Sequence, residues 1–112
     1  MSNFAERRCE ACDGKVKAYT NVQASEALKH LADQWKLIED GKAIKREFKF
    51  RDFFRTMSFV NALAHIANIE DHHPDLEVGY NYCRVRYSTH AVGGLSDNDI
   101  ICAAKIDRLP LQ

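Results

Sequence analysis

The chain has 112 residues and a mass of 12.8 kDa, room for one small domain and not for two. Apolar residues make up 46% and aromatics 10%, which supports a packed core and argues against disorder. The 16 Lys and Arg balance 16 Asp and Glu, so a chain-wide affinity for nucleic acid or anionic lipid is excluded, and no apolar run reaches the length of a membrane span.

Residues 1–20 are polar and unpatterned. They read as a loose arm ahead of a single domain over 21–112, and MSNFAERRCE lacks the apolar stretch of a secretory signal. The expectation is a soluble cytoplasmic protein. The arm carries Cys9 and Cys12 as a CxxC, while Cys83 and Cys102 stand alone. A reducing compartment keeps all four as thiols. One CxxC is half a zinc site with no second half. A structural or incidental pair, a weak metal or redox site, and a disulfide all remain open.

Ser25 is read as the cap of a first helix using Ala27, Leu28 and Leu31 and ending near Asp33. Asp40-Gly41 marks a hairpin over about 35–50. In its second strand Ile44, Arg46, Phe48 and Phe50 alternate with Lys45, Glu47 and Lys49. From Arg51 to Glu70 the period changes. Phe50, Phe53, Met57, Val60, Ala64 and Ala67, widened by Phe54, Phe59, Leu63, Ile66 and Ile69, predict a long helix with a broad buried face. Pro74 pushes His73 out of helical geometry, so the helix ends near Asp71 and His72-His73-Pro74 is the turn after it. A second hairpin follows, with strands at Leu76–Tyr80 and from Cys83 to Thr89. Gly93-Gly94 breaks the chain. Ser96 and Asp99 form a capping box for a last helix at 97–107. The order α-β-β-α-β-β-α predicts an α+β fold, a four-stranded antiparallel sheet with three helices on one face.

Five histidines occur. His30 and His65 fall inside helices and read as ordinary helix positions. His72, His73 and His90 stand at loop junctions, where sites concentrate. Imidazoles titrate near neutrality and suit proton transfer. Glu70, Asp71, Asp75 and Glu77 surround the pair and favour protonated rings. Three other readings compete. A metal site lacks HxH or HxxxH spacing. A plain helix-ending turn needs nothing else. The basic stretch 42–55 suits a solvated face as well as a nucleic-acid surface. No P-loop, GxGxxG, HExxH or GxSxG is present.

Glu70-Asp71-His72-His73-Pro74-Asp75, Tyr80-Asn81, Ser88-Thr89-His90, Gly94-Leu95-Ser96 and Asp99 together resemble the pterin-4a-carbinolamine dehydratase family, from about Trp35 to Ile106. The Cys-Glu-Ala-Cys arm is similar to that of bacterial members. The resemblance implies dehydration of 4a-hydroxytetrahydropterin to quinonoid dihydropterin and water, without metal or organic cofactor, in tetrahydropterin recycling for an aromatic amino acid hydroxylase such as phenylalanine hydroxylase. It implies His72 and His90 as the proton-transfer pair and His73 as a catalytic residue that orients the substrate. Asp71, Pro74, Thr89, Ala91 and Val92 join the three histidines around the pterin. Asp99 is the supporting carboxylate, orienting His90 or the 93–96 turn, or serving only as a helix-start charge. A homodimer or homotetramer is implied as well. Where family members often carry an acidic residue, this chain has Asn68. The alternatives are a dimerisation cofactor of a transcription factor and a dehydratase-like protein of another pterin pathway.

Overall fold

The computed structural model describes residues 3–11 and 16–110. Helix α1 spans Asn21–Leu28. Its cap is Thr20 and not the expected Ser25: Gln23 N–H donates to Thr20 Oγ1 at 3.1 Å, and Thr20 N–H donates to Gln23 Oε1 at 2.8 Å. This reciprocal box satisfies two orphan donors, so the helix starts five residues early and has ended by Leu28. Leu31 is still buried, beyond the helix.

Strands β1 (Lys36–Ile38) and β2 (Ala43–Lys49) pair antiparallel across a turn in which Glu39, Asp40 and Gly41 all have positive φ. Helix α2 runs Phe53–Glu70 from an Asp52 cap, whose carboxylate accepts from Arg55 N–H at 2.9 Å. Strands β3 (Asp75–Val78) and β4 (Tyr82–Tyr87) form the second hairpin, which leaves Tyr80 in the turn and not in a strand. Helix α3 is Asp97–Asp107 on the predicted Ser96–Asp99 box.

The sheet order is β1-β2-β4-β3, all antiparallel. Period two sorts its faces. Ile44, Phe48, Cys83, Val85 and Tyr87 face the core with Ala24 and Ala27 of α1, Phe59 and Leu63 of α2, and Ile100 and Ile101 of α3. The opposite face is a lattice of compensated charge, in which Arg86 meets Glu39 and Asp75, and Arg84 meets Glu47. Such exposed pairs add little stability, but they keep the open face soluble and matched to no single charge sign. The α+β architecture with its helices on one face is as predicted.

Two further expectations fail. The buried stripe of α2 is narrower than its apolar pattern: Thr56, Phe59, Leu63, Ala67 and Glu70 are buried, while Phe53, Phe54 and Ile69 are 50%, 72% and 51% exposed. A helix 18 residues long offers only one stripe to a single sheet, so apolar residues outside that arc stay outside.

The amino-terminal segment is not loose where it is described. Phe4 is buried against the core, edge-on to His30 at 5.3 Å between ring centroids. Arg7 pairs with Asp97, and Lys105 donates to the Ala5 carbonyl at 2.8 Å. Cys9 lies in this docked stretch, whereas Cys12 falls outside the described residues. Among the described residues, no helix is long and apolar enough to cross a membrane.

Candidate active site

The turn after α2 is set by the helix end. Asp71 adopts a left-handed conformation at φ 52°. His72 N–H then reaches back to the Ala67 carbonyl at 3.1 Å, and Asp71 N–H reaches Asn68 at 3.4 Å. These are the two bonds of a Schellman motif. They hold His72 against the end of α2, and Pro74 then feeds β3.

His72 is almost buried. Its Nε2 lies 2.6 Å from Asp99 Oδ1, and Asp99 is fully buried in the first turn of α3. The other carboxylate oxygen, Oδ2, accepts from Thr89 Oγ1 at 2.7 Å and from Ser96 N–H at 3.0 Å. Thr89 has given its proton to Asp99, so Ser96 Oγ is the donor in the 2.7 Å bond between the two hydroxyls. This network makes Asp99 an acceptor on both oxygens. It therefore places a proton on His72 Nε2 and leaves Nδ1 as the ring atom for proton exchange. Burial opposes a charge on His72, but the hydrogen bond and negative charge of Asp99 outweigh it and raise the imidazole above its ordinary value of 6.5.

Tyr87 completes the setting. Its ring stacks on His72 at 5.4 Å and 14°, and its hydroxyl donates to the His72 carbonyl at 3.2 Å. The sequence pattern gives Tyr87 only as a strand residue. The alternation that puts Cys83 and Val85 inward was the signal that it also faces the helix side.

His73 points the other way. It is exposed, and its Nε2 donates to Asn68 Oδ1 at 3.2 Å. Position 68 thus acts on the second histidine of the pair, as a neutral acceptor without charge. His90 is also exposed and opens a short 3-10 turn, His90–Val92, closed by Gly93 at φ 69°. Ala91 is exposed and Val92 half-buried there, with Asp71 exposed and Pro74 half-buried on the facing turn.

Asp99 was expected to orient His90 or the 93–96 turn. It binds Ser96 of that turn, but its imidazole partner is His72. His90 is tied to the cluster through its neighbour Thr89, which bonds Asp99 and pairs with Gly94. The arrangement is one imidazole locked on a buried carboxylate, an exposed imidazole next to it in the same turn, and a third, also exposed, one residue past the Thr89 that bonds that carboxylate. It can give a proton from one group and accept at another. Among the described residues, no three His, Cys, Asp or Glu side chains are gathered to hold a metal.

The sequence model of pterin 4 alpha carbinolamine dehydratase matches residues 17–109. A protein of Legionella pneumophila (strain Corby), provisionally named as such a dehydratase, is 55% identical over 96% of this chain and 96% of its own. A counterpart in Nitrosomonas eutropha, provisionally named in the same way, is 50% identical over 97% of this chain and 95% of its own. Among solved structures, the Brucella melitensis transcriptional coactivator/pterin dehydratase superposes with a TM-score of 0.76 at 36% identity, covering 80% of this chain and 95% of that one. Matched by the family model over residues 17–109 and by relatives at 50% identity or more along nearly its whole length, this chain belongs to the pterin-4-alpha-carbinolamine dehydratase family.

Proposed function

We propose that the protein removes water from a 4a-hydroxytetrahydropterin, giving quinonoid dihydropterin, and so recycles the pterin left by an aromatic amino acid hydroxylase. The observation that carries this reading is the 2.6 Å pairing of His72 with buried Asp99, a carboxylate that also holds Thr89, the neighbour of exposed His90. In the reaction the C4a–O bond breaks, the hydroxyl leaves as water with an added proton, and the N5 proton departs as the C4a=N5 bond forms. His72, raised by Asp99, suits the acid that protonates the departing hydroxyl. Exposed His90 suits the base at N5. His73 orients the hydroxyl, and main-chain groups of 71–74 and 89–92 pair with the ring edge. Proton transfer of this kind contributes about 10²–10⁴-fold.

The test follows dehydration of 4a-hydroxytetrahydropterin generated by a phenylalanine hydroxylase, with chelator present. Wild type accelerates the step, and His72→Ala with His90→Ala loses roughly 10²-fold or more. Folded wild type that leaves the rate unchanged rejects the reading.

A second role in association is favoured by Phe53, Phe54 and Ile69 lying exposed along α2, and the Brucella relative is described as a coactivator as well as a dehydratase. This reading expects a homodimer or homotetramer. Sedimentation of the purified chain at micromolar concentration as a 12.8 kDa monomer removes it.

A further inference from the structure

We propose that Cys9 and Cys102 form an oxidant-responsive disulfide site that ties the amino-terminal segment to α3 and reopens under a dithiol reductant. Both are free thiols, 93 positions apart in sequence, with sulfurs 3.6 Å apart. The approach is built from the chain on both sides of Cys9. Cys9 N–H donates to Glu70 Oε1 at 2.8 Å, and Arg8 Nε pairs with Glu70 Oε2 at 2.9 Å. Glu10 N–H donates to Asn98 Oδ1 at 3.0 Å, and Asn98 Nδ2 returns a bond to the Glu10 carbonyl at 2.8 Å. The end of α2 and the start of α3 therefore grip the residues flanking the thiol and deliver it to Cys102.

Closing the bond needs the sulfurs to approach to about 2.05 Å, a movement of roughly 1.5 Å. Cys102 is fixed in the middle of α3, but Cys9 lies outside any helix or strand, and its backbone can supply the movement.

The two thiols have different parts. Cys9 is half-buried and is the sulfur an oxidant reaches, while Cys102 is fully buried. The hydrogen bond between them pushes Cys9 up and Cys102 down, with further lowering of Cys102 by Tyr87 and His72. Cys9 thus holds the shared proton and passes it to the leaving oxygen of the oxidant, and the lowered Cys102 is the sulfur suited to the second attack. With hydrogen peroxide as oxidant, Cys9 sulfur attacks one oxygen and the O–O bond breaks. Cys9 becomes a sulfenic acid, and the second oxygen leaves as water. Cys102 sulfur then attacks Cys9 sulfur, the S–O bond breaks, and the departing hydroxide takes the Cys102 proton. Two thiols and one peroxide become a disulfide and two waters. A dithiol returns two electrons and two protons by exchange. Cys83 is buried alone, its thiol pushed up to about 11 by desolvation, and stays reduced as an internal control.

The experiment treats the purified full chain with equimolar hydrogen peroxide, blocks remaining thiols, digests with trypsin and maps the peptides by mass. Peptide 9–15 joined to peptide 87–105 is expected, together with its release by dithiothreitol. The link persists in Cys12→Ser and is lost in Cys9→Ser. Peptide 9–15 closed on itself through Cys9 and Cys12 overturns the proposal. So does a link that survives in Cys9→Ser, or Cys9 oxidised with peptide 87–105 left alkylated.

Discussion

Asp99 is the residue on which the site turns, because three residues depend on one buried carboxylate. His72, Thr89 and Ser96 bond it directly, and the last two bond each other. In Asp99→Asn one oxygen becomes an amide nitrogen and a donor faces a donor. A hydrogen bond to a charged group contributes about 1.5–3 kcal/mol, so a stability loss of that order is expected in urea unfolding. The pH dependence has a definite sign. His72 is raised when folded, so its contribution is fully present below its ordinary value near 6.5 and is lost as pH rises through the raised value. The stability gap between wild type and Asp99→Asn is therefore widest at about pH 6 and narrows toward pH 9. A gap that stays constant over this range removes the charge from the account. Asn68 works at the same scale. Its amide oxygen accepts from His73 Nε2 and fixes the ring.

At the scale of elements, the end of α2 aims the histidines. Asp71 holds the left-handed position that a Schellman motif reserves for glycine, at a cost of roughly 1–2 kcal/mol for an L residue with a Cβ. Asp71→Gly is expected to keep the fold and raise stability by up to about 1 kcal/mol in chemical denaturation. Asp71→Val is expected to lower it, because a β-branched residue is least at ease there. If dehydratase activity falls in the more stable Asp71→Gly, the side chain itself serves the pterin. If activity is kept, Asp71 is a turn residue. On the last helix, Asp107 makes a comparable joint: it accepts from Trp35 Nε1 at 2.8 Å, Arg46 Nη1 at 2.7 Å and Ala32 N–H at 3.0 Å. This ties α3 to β2 and to the segment before β1.

Across the whole molecule, the amino-terminal segment closes the far side of α3. Phe4 enters the core cluster, Arg7 and Glu10 meet the start of α3, and Arg8 with Cys9 satisfies Glu70, whose side chain is only 4% exposed. Desolvation penalises the Glu70 charge. The Cys9 amide, Arg8 and Lys105 together reverse that penalty and hold its carboxyl below the ordinary value. Phe4→Ala is expected to cost about 3 kcal/mol, as for other buried aromatics cut to alanine, and to loosen the segment in hydrogen exchange. A loss under 1 kcal/mol would mean the segment is decoration on a core complete without it.

Local pattern alone determined the element order, the hairpin at Asp40-Gly41, the end of α2 at Asp71 and the capping box of α3. Each depends on neighbours within four residues: a period, a proline or a cap. The turn carrying His72 and His73 and the strand end carrying His90 were legible for the same reason, and the combined motif pointed to the family. Tertiary structure decided the rest. The cap of α1 is the local exception, Thr20 answered by Gln23 three residues on. The exposure of Phe53 and Phe54 was settled by how much of α2 one sheet can cover. Asp99 went to His72, 27 positions away, and Cys9 to Cys102, 93 away. Such pairings depend on which helix ends and loop segments meet across the core, and no local period encodes that.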